Sequence, residues 1–151
     1  MAEHLPPALE ALLGSARTAA LATLKRDGRP QLSNVSCTWD PASCTVRIST
    51  TDGRAKTANL RRDPRASLYA TTPDFGAYAV AEGTAELTPV AADPHDAVAD
   101  ELVEVYRLIQ GEHPDWEEYR AAMVADRRLV VRLRVDRLYG WAPVDAPRTD
   151  D

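Results

Sequence analysis

Two hydrophobic periods divide the chain. Thr18-Ala19-Ala20-Leu21-Ala22-Thr23-Leu24 and Gln31-Leu32-Ser33-Asn34-Val35-Ser36-Cys37-Thr38-Trp39 carry the two-residue period of strands. Between them Arg26-Asp27-Gly28-Arg29 offers an Asp-Gly pair, a tight-hairpin signal. Asp40-Pro41-Ala42-Ser43 turns the chain into a third alternating run, Cys44 to Ser49, so a meander of three antiparallel strands is expected. Ala66 to Thr71 and Ala77 to Leu87 predict a second strand pair. Gly83 inside the longer strand marks a bulge, the device that curves a sheet toward a barrel.

The helical period appears elsewhere. Pro7 to Gly14 predicts an opening helix with Leu9, Leu12 and Leu13 apolar. Asp93-Pro94 predicts a helix start with proline in its first turn; Val98, Leu102, Val105 and Ile109 form its core stripe, and Asp96, Asp100, Glu101 and Glu104 its wet side. After Gly111-Glu112-His113-Pro114, Trp116, Tyr119 and Met123 recur at helical spacing. Leu129 to Val135 predicts the last strand, followed by Tyr139-Gly140-Trp141. The expected fold is mainly β with peripheral α, about six strands and three to four short helices, in one domain over residues 1–145 with a disordered polar tail at 146–151.

Two stretches break these patterns. In the second strand Gln31, Ser33 and Val35 face one way and Leu32, Asn34 and Ser36 the other, so neither face is cleanly apolar. Such a strand either lines a pocket that needs hydrogen bonds or forms an edge with one solvated face. The second stretch is Thr51-Asp52-Gly53-Arg54-Ala55-Lys56-Thr57-Ala58-Asn59-Leu60-Arg61-Arg62-Asp63-Pro64. Asp52-Gly53 ends a strand and offers an N-cap, Pro64 stops the helix, and about two turns lie between. Arg54 and Lys56 fall in the first turn, where the helix dipole already carries positive charge. Either that end is simply solvated, or it holds an anion such as a phosphate between backbone amides, a guanidinium and an ammonium.

Composition sharpens this second choice. The chain has two lysines, Lys25 and Lys56, against sixteen arginines, so lysine at 56 stands out. A formal charge of −5 argues against a general nucleic-acid or anionic-membrane surface, and positive charge is local. No apolar run approaches the roughly 20 residues of a membrane span, and the first residues lack signal-peptide features, so a cytoplasmic location is the expectation. Cys37 and Cys44 could meet across a hairpin, though reduced core cysteines are the more common reading of two such residues. His4, His95 and His113 never reach metal-ligand spacing, so no metal is expected. Glycine-rich dinucleotide and Walker loops and the Gly-x-Ser-x-Gly elbow are missing, which assigns any redox chemistry to a bound cofactor.

The runs Ala22 to Val35, Arg54 to Ala66, Tyr78 to Ala85, Gly111 to Trp116 and Met123 to Arg128 resemble the pyridoxamine-phosphate-oxidase-like split-barrel flavoproteins, in particular the branch that uses deazaflavin coenzyme F420. The resemblance implies a split β-barrel working as a homodimer, with cofactor sites in clefts between subunits and F420, or alternatively FMN, as cofactor. By the family's pattern Arg54 and Lys56 hold the cofactor phosphate, with Ser49 and Asn59 beside it and Ala55 among the cofactor-binding residues. Gln31, Ser33 and Asn34 border the ring, and Tyr78 and the partner chain's 123–128 segment lie nearby. Gly76 stands where relatives often carry an aromatic, with Phe75 next to it. The implied activity is an F420-dependent oxidoreductase passing a hydride to a small electron-poor acceptor. An FMN enzyme of the same fold and a non-catalytic flavin-binding protein are the alternatives.

Overall fold

The computed structural model describes residues 5–143; His4 and the tail expected at 146–151 lie outside them. Its elements run α1 (Pro7–Ser15), β1 (Thr18–Leu24), β2 (Pro30–Ser36), β3 (Thr38–Asp40), β4 (Thr45–Thr51), α2 (Ala55–Arg62), β5 (Arg65–Thr71), β6 (Tyr78–Leu87), α3 (Ala97–Gln110), α4 (Trp116–Ala125) and β7 (Arg128–Trp141). The fold is mainly β with peripheral helices, as expected, with seven strands where about six were predicted.

The seven strands form one antiparallel sheet in the order β2-β1-β5-β6-β7-β4-β3. Its two edge strands, β2 and β3, are consecutive in the chain and joined by Cys37 alone. Laid flat, six gaps of about 4.8 Å would hold the edges about 29 Å apart, whereas two peptide steps reach about 7 Å. The sheet must therefore curl until its edges meet, which makes it a split barrel. Cys37 is the corner: it is 2% exposed and its N–H donates to the Arg17 carbonyl. Burial pushes its thiol up to about 11, and both cysteines are free.

That corner overturns two expectations. The run from Gln31 to Trp39 is two strands, because the buried Cys37 carries the chain from one sheet edge to the other. The three-strand meander is replaced by two hairpins, β1–β2 and β3–β4, at opposite ends of the sheet order.

The bulge expected at Gly83 is present as a register shift between Glu82 and Gly83 against β7. A Cβ on Gly83 would run into the backbone carbonyl of Arg134, so the close approach excludes a side chain. β7 continues well past Val135, to Trp141, because β6 pairs along its whole length.

Inside the curl Leu21, Val46, Ile48, Leu68, Val131 and Leu133 pack with Leu60 of α2, and α1 plugs the barrel with Leu9 and Leu13. A second cluster lies outside the barrel, where α3 and α4 cover Val130 with Leu102, Val105, Tyr119 and Met123. Strand β7 is thus buried on both faces at Val130 and Val131. The α3 stripe packs as expected at Val98, Leu102 and Val105. The helix starts later than Asp93-Pro94, because Asp96 caps it by accepting from Ala99 N–H while also accepting from Ala92 and Asp93. Glu101 is likewise not on a wet side: 14% exposed, it accepts from Arg132 and clamps α3 to the sheet.

Candidate functional site

Outside the barrel a cleft of about 650 Å³ opens between β2, β4, the start of α2 and the α3–α4 pair. Strand alternation explains its polar wall. In β4, Val46, Ile48 and Thr50 point into the barrel, leaving Ser49 and Thr51 on the other face toward the helices. Edge strand β2 adds Ser33, Asn34 and Ser36, and α3 and α4 close the far side with Val105, Tyr106, Ile109 and Met123. Both readings of the second strand hold together: it is an edge, and it lines a pocket.

One end of the cleft is cationic. Arg54, Lys56 and Arg128 line it, and among the described residues around the cleft none is acidic. Burial, then the guanidinium groups of Arg54 and Arg128, press the Lys56 ammonium below its ordinary value. Arg54 Nε donates to Thr51 Oγ1 at 3.2 Å and Arg128 Nη1 to Ser49 Oγ at 3.3 Å, so hydroxyls orient both without neutralising them. Arg128 Nε and Ser33 Oγ are buried with no hydrogen-bond partner among the described residues. Orphaned polar atoms in a cationic cleft are what an anionic, hydrogen-bonding ligand would satisfy.

Helix α2 presents its N-terminus here, with Arg54 in the N-cap position, extended at φ −77°, and no side chain capping it. The expected cap, Asp52, is engaged elsewhere: it accepts from Arg61 at 2.6 Å and Arg127 at 3.0 Å, bonds that hold its carboxyl below the usual range. Thr57 pins the helix by donating to the Thr51 carbonyl at 2.8 Å and meeting Thr50 Oγ1. The uncapped start of α2 thus carries two of the cleft's three cations, a polarity that attracts anions.

The residues singled out in the sequence divide by location. Ser33, Asn34, Ser49, Arg54 and Lys56 line this one cleft. Gln31, Ala55 and Asn59 border a groove on the opposite side of α2, together with Lys25, Arg26, Arg61 and Arg62. Asn59 is buried there and donates to Gln31 Oε1 at 2.6 Å and to Thr23 Oγ1 at 3.1 Å, which ties α2 to the β1–β2 hairpin. Tyr78 sits on the outer sheet face, 37% exposed and stacked on Tyr69, so it is neither a buried anchor nor part of this cleft.

The resemblance implies the partner chain's 123–128 segment near the cofactor; this chain's own copy reaches the cleft through Met123 and Arg128. The α3 wall of Val105, Tyr106, Ile109 and Gln110 was not read from the sequence, and Arg128 was named there only as the end of the 123–128 segment, not as a third cation. The signal for Arg128 was its place at the mouth of an apolar strand; the α3 wall gave none, since core and cleft-lining apolar residues share one stripe. Tyr119 also lines the cleft, but its hydroxyl donates to the Leu102 carbonyl at 2.9 Å and burial pushes it up to about 12.

Comparison with known proteins follows the same lines. The family described as pyridoxamine 5'-phosphate oxidase matches residues 5–142. Among solved structures the chain is similar to an F420 reductase at 23% identity, covering 89% of this chain and 98% of that one with a TM-score of 0.70. It is similar to a conserved hypothetical protein from Mycobacterium tuberculosis at 22% identity, covering 96% and 92%, with a TM-score of 0.69. A heme binding protein from Mycobacterium smegmatis matches at 21% identity over 95% of this chain and 57% of that one, with a TM-score of 0.66. At such identities these three likenesses carry the fold, and the family match spans nearly the whole chain: the protein belongs to the pyridoxamine 5'-phosphate oxidase family.

Proposed function

We propose that the cleft takes a phosphate-bearing flavin-type cofactor, deazaflavin F420 first, and that the protein is an F420-dependent oxidoreductase acting on small electron-poor acceptors such as activated alkenes, quinones or related rings. One observation carries this reading: three cations line a cleft that no acid lines among the described residues, and two side chains of that lining, Ser33 and Arg128, hold a buried polar atom without a partner. Arg54, Lys56 and Arg128 would hold the phosphate, the guanidinium groups as forks and the ammonium as a point charge. Ser33 and Asn34 would meet the ring edge, while Val105, Tyr106, Ile109 and Met123 supply an apolar wall that excludes water. Bound there, the reduced cofactor would supply a hydride to the acceptor. Tyr119 is committed to Leu102 and is no proton donor in this scheme.

The likeness to an F420 reductase over 98% of that chain puts the deazaflavin first. FMN is the second reading, favoured by the family match, since its phosphate suits the same cations. A homodimer belongs to either reading. Supporting it, the outer sheet face leaves Leu32, Tyr69, Tyr78, Tyr139 and Trp141 exposed, and Tyr69, Val80 and Tyr139 share one cross-strand row.

Parallel equilibrium titrations with F420 and FMN, read by absorbance and fluorescence quenching, discriminate the two cofactors. Tighter F420 binding, with reduced F420 oxidised by a panel of activated alkenes and quinones, is the expected result. Tighter FMN binding moves the protein to the second reading. Tight F420 binding without turnover on any panel member makes it a binding protein.

A further inference from the structure

Asp52 is an unexpected residue to find two positions before a cationic helix start. A carboxylate beside an anion site repels the ligand, so by charge alone its presence is a defect. Its contacts explain it. Thr51 and Arg128 are registered partners of β4 and β7, and one residue farther on the Asp52 N–H donates to the Arg127 carbonyl at 2.9 Å. The Asp52 carboxylate then grips the Arg127 side chain with one oxygen at 3.0 Å and Arg61, from the last turn of α2, with the other at 2.6 Å. Arg127 has a left-handed backbone, φ 53°, at the corner between α4 and β7, a conformation that costs energy and needs holding.

We infer that Asp52 is the positioning residue of the anion site: its carboxylate clasps Arg127 and Arg61 away from the cleft, locks the α4–β7 corner to the β4–α2 turn, and so holds Arg128 facing Lys56. Five cations crowd these two turns. Asp52 sorts them, pairing two on the outside and leaving Arg54, Lys56 and Arg128 for the ligand. This inference rests on the cleft being an anion site and adds what aims one of its cations.

The two roles open to Asp52 give opposite signs. If it acted only by charge, Asp52→Asn would tighten binding of an anion. As a clasp, Asp52→Asn weakens it despite removing a negative charge, by about three- to tenfold, the scale of one ordinary hydrogen bond lost. The test is isothermal titration of the full-length protein with inorganic pyrophosphate and with F420, for wild type, Asp52→Asn, Arg128→Ala and the double variant. Expected is weaker binding in Asp52→Asn and no further loss on adding it to Arg128→Ala, because the clasp acts through Arg128. Tighter or unchanged binding in Asp52→Asn, or fully additive losses, overturns the inference while leaving the anion site standing if Lys56→Ala still weakens binding. Wild-type protein that binds neither probe removes both. Should Asp52→Asn not fold, Arg127→Lys keeps the charge and loses the fork; weaker binding supports the clasp and unchanged binding overturns it.

Discussion

Lys56 pays for its place in the cleft with a desolvated ammonium flanked by two guanidinium groups, and nothing acidic among the described residues of the cleft relieves it. A bound anion would. Lys56→Ala and Arg54→Ala are each expected to weaken F420 or FMN binding by about 1.5 to 3 kcal/mol, the range for hydrogen bonds to charged groups. Fluorescence titration of each variant checks this, and unchanged affinity in both would place the phosphate elsewhere. At this scale the sequence was partly legible. Arg54 and Lys56 could be read because helix polarity makes cations in a first turn conspicuous. Arg128 was legible only as the end of the 123–128 segment; its place beside Arg54 and Lys56 is set by the β4–β7 register, a pairing of residues 77 positions apart between Thr51 and Arg128. Gln31 and Asn59, the two amides expected near the cofactor, bond to each other, and Asn59 also to Thr23, which holds α2 on the β1–β2 hairpin.

Elements whose boundaries depend on local chemistry were readable, and those set by distant contacts were not. Strand β1 falls on its alternating run and α1 on its proline start. The cap of α3 slipped from Asp93 to Asp96 because the second carboxylate can accept from amides on both sides of itself. Strand β2 ends at Ser36 for a reason that lies in sheet order rather than in its own residues. Gly83 was legible as a bulge, and its consequence can be measured. The alanine methyl of Gly83→Ala would meet the Arg134 backbone carbonyl, which cannot swing aside as a side chain does. A loss of about 1 to 3 kcal/mol, typical of overpacking, is expected in urea unfolding. A variant as stable as wild type would mean that β6 and β7 can separate at the bulge.

On the scale of the whole molecule, a one-residue link between the two edges of a seven-stranded sheet dictates closure, and closure brings β2 beside β4 to form the cleft's polar wall. The same curl turns Tyr69, Tyr78, Tyr139 and Trp141 outward. If that face joins two copies, sedimentation equilibrium will give twice the chain mass of 16.5 kDa, and Tyr69→Arg or Trp141→Arg will return it to one chain. A wild-type monomer at high concentration would assign the aromatic face to something else.

Diffraction from crystals grown with F420 or FMN tests the central claim most directly. Phosphate density bounded by the side chains of Arg54, Lys56 and Arg128 is the expected result; an ordered cofactor whose phosphate lies in the groove beyond α2, or on the outer sheet face, would contradict it.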